Sequence, residues 1–178
     1  MTGQTLTHIG RNALHASRRA LTRDLGAGAP EVLQEIGYTA GEELYDRFCA
    51  WLPDFAGLSD PADLDAAVMG EVLSAFFESI GWGTLSVEHL GSAGLALDSA
   101  DWAEAEPGAD VPYPSCFISA GLLADFVTRL ADGATVSIME VECRSRGDER
   151  CRFLAGSPET LERAYEAISS GRDYRSVF

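Results

Sequence analysis

Between Met139 and Phe153 the chain carries Cys143 and Cys151, two of its four cysteines. A carboxylate stands just ahead of the first, and Gly147-Asp148 lies between the two. Residues of β preference flank both ends, so the segment predicts a short hairpin with two thiols near its base. A third cysteine, Cys116, sits at the mouth of a predicted helix upstream. Three thiols and one carboxylate would fill a tetrahedral zinc site, closed and structural, and the function would then lie elsewhere, in an apolar pocket. Spacing alone leaves alternatives open. The two hairpin cysteines can equally be free thiols or oxidise to a disulfide, and no C-x2-C pair is present. On a regular strand Glu140 and Cys143 have opposite parity, so both face one ion only if a bulge or the strand end re-aims one of them. Cys49, on an apolar stretch of helix, is expected to be a small buried hydrophobe.

The rest of the chain frames that hairpin. Its 178 residues suit one domain, and a 46% hydrophobic content is enough for a core. With 13 Lys and Arg against 28 Asp and Glu, the formal charge is −15. Few cations are free to neutralise phosphates, which disfavours nucleic acid and anionic membranes. No signal-peptide h-region and no 18-residue apolar run occurs, so the expected location is a reducing cytoplasm, where clustered cysteines serve as metal ligands.

The first eighty residues read as helical. Leu6, Ile9, Leu14, Leu21 and Leu25 make a weak stripe over Thr5 to Leu25, with His8 and His15 expected on the solvated side. A second helix begins after Pro30 and stops at Pro53; Gly37 and Gly41 interrupt it and imply a close approach of backbone or ligand. A third runs from near Asp60-Pro61 to Gly81. Alternation then takes over: Thr84 to His89, a turn at Gly91 to Gly94, and a return at Leu95 to Leu97. Asp101 to Pro114 is an acidic, Gly- and Pro-containing loop, with room for a short strand around Trp102. Cys116 to Leu130 is an apolar helix, Thr135 to Cys143 and Arg150 to Leu154 pair as strands, and Pro158 to Ser169 is a final helix capped by Ser157. The predicted class is α+β, with residues 1–80 helical and residues 81–171 holding the antiparallel sheet, its interrupting helix and the metal site.

Several of these residues resemble a known family. Pro114-Ser115-Cys116-Phe117, Gly121, Glu140-Val141-Glu142-Cys143, Gly147-Asp148 and Cys151-Arg152-Phe153 resemble the four-vinyl-reductase domain family, and Gly81-Trp82-Gly83 and Asp98 to Ala105 resemble its middle section. The family includes sensory domains of aromatic-responsive bacterial activators and a protein tied to bacteriochlorophyll synthesis. Its fold is similar to that of NO-signalling and vesicle-tethering subunits. The resemblance implies a zinc ligand set of Cys116, Glu140, Cys143 and Cys151, in the pattern E-x-x-C-x7-C preceded by a helix-opening cysteine; Glu140 is preferred to Glu142 on that ground alone.

The same resemblance implies a pocket for a small aromatic molecule and pairing of two copies through the N-terminal helices. The chain has three Trp, five Tyr and eight Phe. Phe76, Phe77, Trp82, Trp102, Tyr113, Phe117 and Phe126 converge if the middle sheet packs on the Cys116 helix, and the expected pocket residues are Trp102, Phe117, Phe126, Trp82 and Phe77. No histidine can be matched to the one that contacts phenol in the sensors, which favours a more apolar ligand. There is no G-x-G-x-x-G, no Walker motif and no catalytic constellation. The expected function is therefore a non-enzymatic binding or sensing module with structural zinc, acting as a homodimer. Two alternatives remain: an accessory protein or reductase in tetrapyrrole synthesis, and a structural interaction subunit.

Overall fold

The computed structural model describes residues 10–178. Helix α1 spans Arg11–Leu25, α2 Ala29–Ala56 and α3 Ala66–Ser79. The hairpin β1 (Ser86–Leu90) and β2 (Gly94–Ser99) follows, then α4 (Phe117–Leu130), β3 (Ser137–Glu142), β4 (Cys151–Gly156) and α5 (Pro158–Ser169). The four strands form one antiparallel sheet in the order β1-β2-β4-β3. Helices α2, α3 and α4 pack on one face around Phe48, Phe76, Phe126 and Phe153. Helix α5 and the C-terminal Tyr174 and Phe178 cover the other around Leu154. This is the α+β architecture that the alternation of patterns predicts. Central strand β4 is buried along its whole length because both faces are covered.

The closest packing in the fold joins α2 to α4. A Cβ on Gly37 would stand 1.9 Å from the Ile118 carbonyl oxygen, and one on Gly121 would stand 2.0 Å from that of Gln34. The glycines of α2 thus answer to backbone of a neighbouring helix: with no side chain on either, the two helices touch directly. Gly41 makes the same kind of room for Asp125.

Three details depart from the sequence reading. Helix α2 passes through Pro53 and ends a turn later at Gly57, which takes the left-handed conformation (φ 71°) and returns its N–H to the Pro53 carbonyl. A proline removes only its own donor, and a glycine in that conformation is the stronger stop. Asp60-Pro61 opens a short 3-10 turn, and α3 starts later, capped by Asp65 accepting from the Ala67 N–H. The loop after β2 forms no strand around Trp102.

Helix α1 departs most. The Thr5–Ile9 part of its predicted stripe, with His8, lies outside the described residues. His15, expected in solvent, is buried, its Nε2 lying 3.0 Å from the Ala103 carbonyl oxygen. Arg18 is buried beside it and donates to the carbonyl and hydroxyl of Ser115. The buried face of α1 is polar because it packs on the 103–115 loop, whose carbonyls need donors. A hydrophobic stripe is blind to such a face.

Alanine at Gly121 gains about 1 kcal/mol of helix propensity, but it must push two backbones apart, which costs at least about 3 kcal/mol. We expect Gly121→Ala to lower the melting temperature by about 4–8 °C net. Gly28→Ala, which meets nothing within 4 Å, should melt like the wild type in the same calorimetric scan.

Candidate metal centre and its aromatic neighbourhood

Cys116 is the N-cap of α4, Cys143 follows the end of β3, and Cys151 opens β4. All three are buried, and all four cysteines of the chain are free thiols. The Sγ atoms of Cys116 and Cys143 are 3.7 Å apart, and those of Cys116 and Cys151 are 3.9 Å apart. A tetrahedron with metal–sulfur bonds of about 2.3 Å has edges of about 3.8 Å. One ligand atom from each of Cys116, Glu140, Cys143 and Cys151 lies within 4.8 Å of the other three.

The parity problem between Glu140 and Cys143 is solved by a bulge. Glu140 pairs with Phe153 and Glu142 with the next residue, Arg152, so Val141 is extra on its strand. Glu140 is thereby turned towards the thiols. Glu142 is turned away and held by Arg150, whose Nε donates at 2.9 Å. Glu140 Oε2 accepts from the Cys116 N–H at 2.8 Å. Its Oε1 is buried with no hydrogen-bond partner. A carboxylate oxygen stranded beside three thiols is a costly arrangement unless a cation completes it.

The turn between the cysteines is equally built. Asp148 Oδ2 accepts from the Cys143 N–H at 2.7 Å, and Gly147 adopts φ 104°. Buried Ser145 accepts the Glu106 N–H at 2.8 Å, which ties the turn to the loop before α4.

The electrostatics agree with the donor chemistry. Hydrogen bonds from Cys116 and Cys151 hold Cys143 far below the ordinary thiol value. The bonds that Cys116 makes to Cys143 and Cys151, together with burial, push Cys116 well above it. Burial, reinforced by the charge on Cys143, lifts Glu140 to about 8. Protein groups alone let one member of the cluster ionise at the expense of the others; a divalent ion would allow all four to be anionic.

The expected pocket residues divide. Phe77, Trp102 and Phe126 are at most 1% exposed and belong to the core. The ring of Phe77 lies 5.5 Å from those of both Trp102 and Phe126, and Trp102 also meets Phe153 at 5.9 Å. Trp82 is half-buried at the edge of this cluster, 5.6 Å from Trp102. Phe117 faces a separate groove beside α1. Phe76 joins the cluster; Tyr113 is half-exposed and lies outside it. Cys49 is only partly buried, next to Tyr45.

Two polar residues that pattern reading passed over connect the cluster to α4. Trp102 Nε1 donates to Ser119 Oγ at 2.7 Å. The fully buried Glu104 accepts from the Ser119 N–H at 2.7 Å, the Ile118 N–H at 3.2 Å and the Ser119 hydroxyl. It thereby satisfies the first turn of the helix that Cys116 opens. Its place in an acidic loop hides it in the sequence; the signal is Trp-Ala-Glu standing before a helix with no acid in its own first turn.

Burial raises the Glu104 carboxyl to about 7 against the opposing hydrogen bonds from Ser119. A raised carboxyl favours the protonated fold. Its contribution is therefore complete below pH 4.5 and is lost as pH rises towards 7. The shift corresponds to about 3 kcal/mol. Subtracting the unfolding free energy of Glu104→Gln from that of the wild type across pH 4.5–7 should give a difference that falls by an amount of that order; a flat difference would contradict it.

No curated protein sequence matches this chain. Among solved structures, the phenol-responsive sensory domain of the transcription activator PoxR, determined with phenol, is similar at 18% identity and a TM-score of 0.68, with 93% of this chain and 83% of that one covered. A trafficking protein particle complex subunit 3 from Naegleria fowleri, covalently bound to palmitic acid, is similar at 15% identity and a TM-score of 0.60, covering 82% and 93%. These likenesses establish the fold. The resemblance read from the sequence holds where the chemistry is concentrated: residues 101–157, which contain all four clustered ligands, match the vinyl-4-reductase domain.

Proposed function

We propose that this chain is a non-enzymatic module that binds a small hydrophobic or aromatic molecule and is braced by one structural zinc ion. The observation that carries the reading is the closed donor set of Cys116, Glu140, Cys143 and Cys151. Thiolates favour zinc over hard cations, and four protein ligands leave no position at which water could be activated. The ion would tie α4 to the β3–β4 turn, so its binding energy would act as folding energy. Free thiols at such a site suit a reducing compartment such as the cytoplasm. Among the described residues, no helix is long and apolar enough to cross a membrane.

The sensing part of the reading rests on the fold shared with a phenol-responsive domain and on the aromatic cluster above the metal centre. Phe77, Trp102 and Phe126 would receive the ligand, entering past the half-buried Trp82, with Phe117 at the outer edge. Their rings already fill the space among them, so binding would require them to part and would load Ser119 through Trp102. That couples ligand to the helix opened by Cys116. Exposed Leu25, Ile36 and Tyr38 on α1 and α2 supply an apolar surface for a second copy.

Native mass spectrometry of the purified protein should show a dimer with one zinc per chain. Cys151→Ser should lose the metal, and chelation of the wild type should destabilise it by several kcal/mol. A reduced, folded wild type with no stoichiometric metal would rule the zinc site out.

A panel of toluene, naphthalene and phenol should raise the melting temperature and change tryptophan fluorescence. Trp102→Ala should abolish both responses, whereas absence of any response in the wild type would remove the sensing reading.

A further inference from the structure

The groove that Phe117 faces has a chemistry of its own. It lies where α1 turns into α2 and is closed on the far side by the 106–117 segment. It encloses about 450 Å³, the size of a small-ligand site. Ala29, Pro30, Ala109, Val111 and Phe117 give it apolar walls, and Arg18, Arg19 and Arg23 stand along the α1 side. Cations are scarce in a chain of net charge −15 with 13 Lys and Arg in all, so three arginines on one small cavity are a local reversal of sign.

We propose that this groove binds a small amphipathic carboxylate, an aromatic or medium-chain acid, with its anionic head between Arg18 and Arg19 and its apolar body against Val111 and Phe117. Arg18 is already set for the task. Its side chain is 6% exposed and is positioned by the carbonyl and hydroxyl of Ser115, each at 3.2 Å. Arg19 is largely exposed and can swing to meet a ligand. Glu106 now fills the place of the ligand's head: its carboxylate pairs with Arg18 at 3.4 Å and with Arg19. One carboxylate serves two guanidiniums, so a second can be accommodated with charge to spare. Arg23 is engaged by Asp24 and adds only to the field at the rim. A bare phosphate or acetate would leave the apolar walls unused, and a neutral aromatic would leave the arginines unused. The pairing of head and body is what the lining selects.

Isothermal titration of the full chain with benzoate, octanoate, acetate and benzyl alcohol tests this. Benzoate and octanoate should bind at least about tenfold tighter than acetate or benzyl alcohol, a gap expected from adding an apolar body or a charge-assisted bond. Arg19→Gln, at an exposed position that should fold normally, should weaken benzoate about tenfold. Glu106→Gln removes the competing carboxylate and should tighten it. Ala109→Trp, on the exposed rim, should block the groove. Benzyl alcohol binding as well as benzoate, or benzoate binding undiminished by Arg19→Gln and Ala109→Trp, would overturn the assignment, as would failure of both acids to bind at millimolar concentration. Because none of these variants touches the Trp102 cluster, a negative result here leaves the response to neutral aromatics to be judged separately.

Discussion

The direct contact of backbone between α2 and α4 sets the position of everything that carries chemistry in this molecule. Helix α4 lies against Gln34 and Gly37 with no side chain between, so its axis has no slack. Its first turn therefore sits at a defined place against the sheet, and four things meet there: Cys116 as N-cap, Ser119 holding Trp102, Glu104 accepting two backbone N–H groups, and Ser115 receiving Arg18 from α1. A helix end is the natural meeting point because its first amides have no partner within the helix and recruit acceptors from elsewhere in the chain.

On the other side of the metal centre the control is a single extra residue. Without Val141 bulged from the ladder, Glu140 would lie on the opposite face of the strand from the thiols, because side chains alternate with a period of two. The bulge costs one rung of pairing and gains a carboxylate aimed into the cluster. Arg150 then holds Glu142 on the other face. The sheet also explains why the turn after Cys143 is so well bonded: the ends of β3 and β4 must hold two sulfurs within one coordination sphere.

Much of this was legible beforehand, and the parts that were not share a cause. The strands, α4, α5 and the cysteine cluster announce themselves through local pattern: alternation, an apolar helix face, Ser157 as N-cap, and Cys-turn-Cys spacing. The polar underside of α1 did not, because His15 and Arg18 are buried for the sake of carbonyls about ninety residues away. Glu104 looked like one more acid in a solvated loop, and its burial depends on α4 arriving above it. The aromatic residues were foreseeable as a group, but whether each ring is core or cavity lining depends on where its neighbours pack. Phe77, Trp102 and Phe126 close on one another, while Phe117, on the first turn of α4, looks out on a groove.

What the sequence determined by itself is the order of elements, the α+β class and the identity of the four clustered donors, since hydrophobic period, capping residues and cysteine spacing are local properties of a chain. Tertiary structure alone decided which of Glu140 and Glu142 faces the thiols, which aromatic rings are sealed, and that three arginines of α1 and one glutamate of the loop share a cavity. Those outcomes turn on a one-residue bulge and on contacts between segments far apart in the chain, and neither leaves a periodic trace in the order of the amino acids.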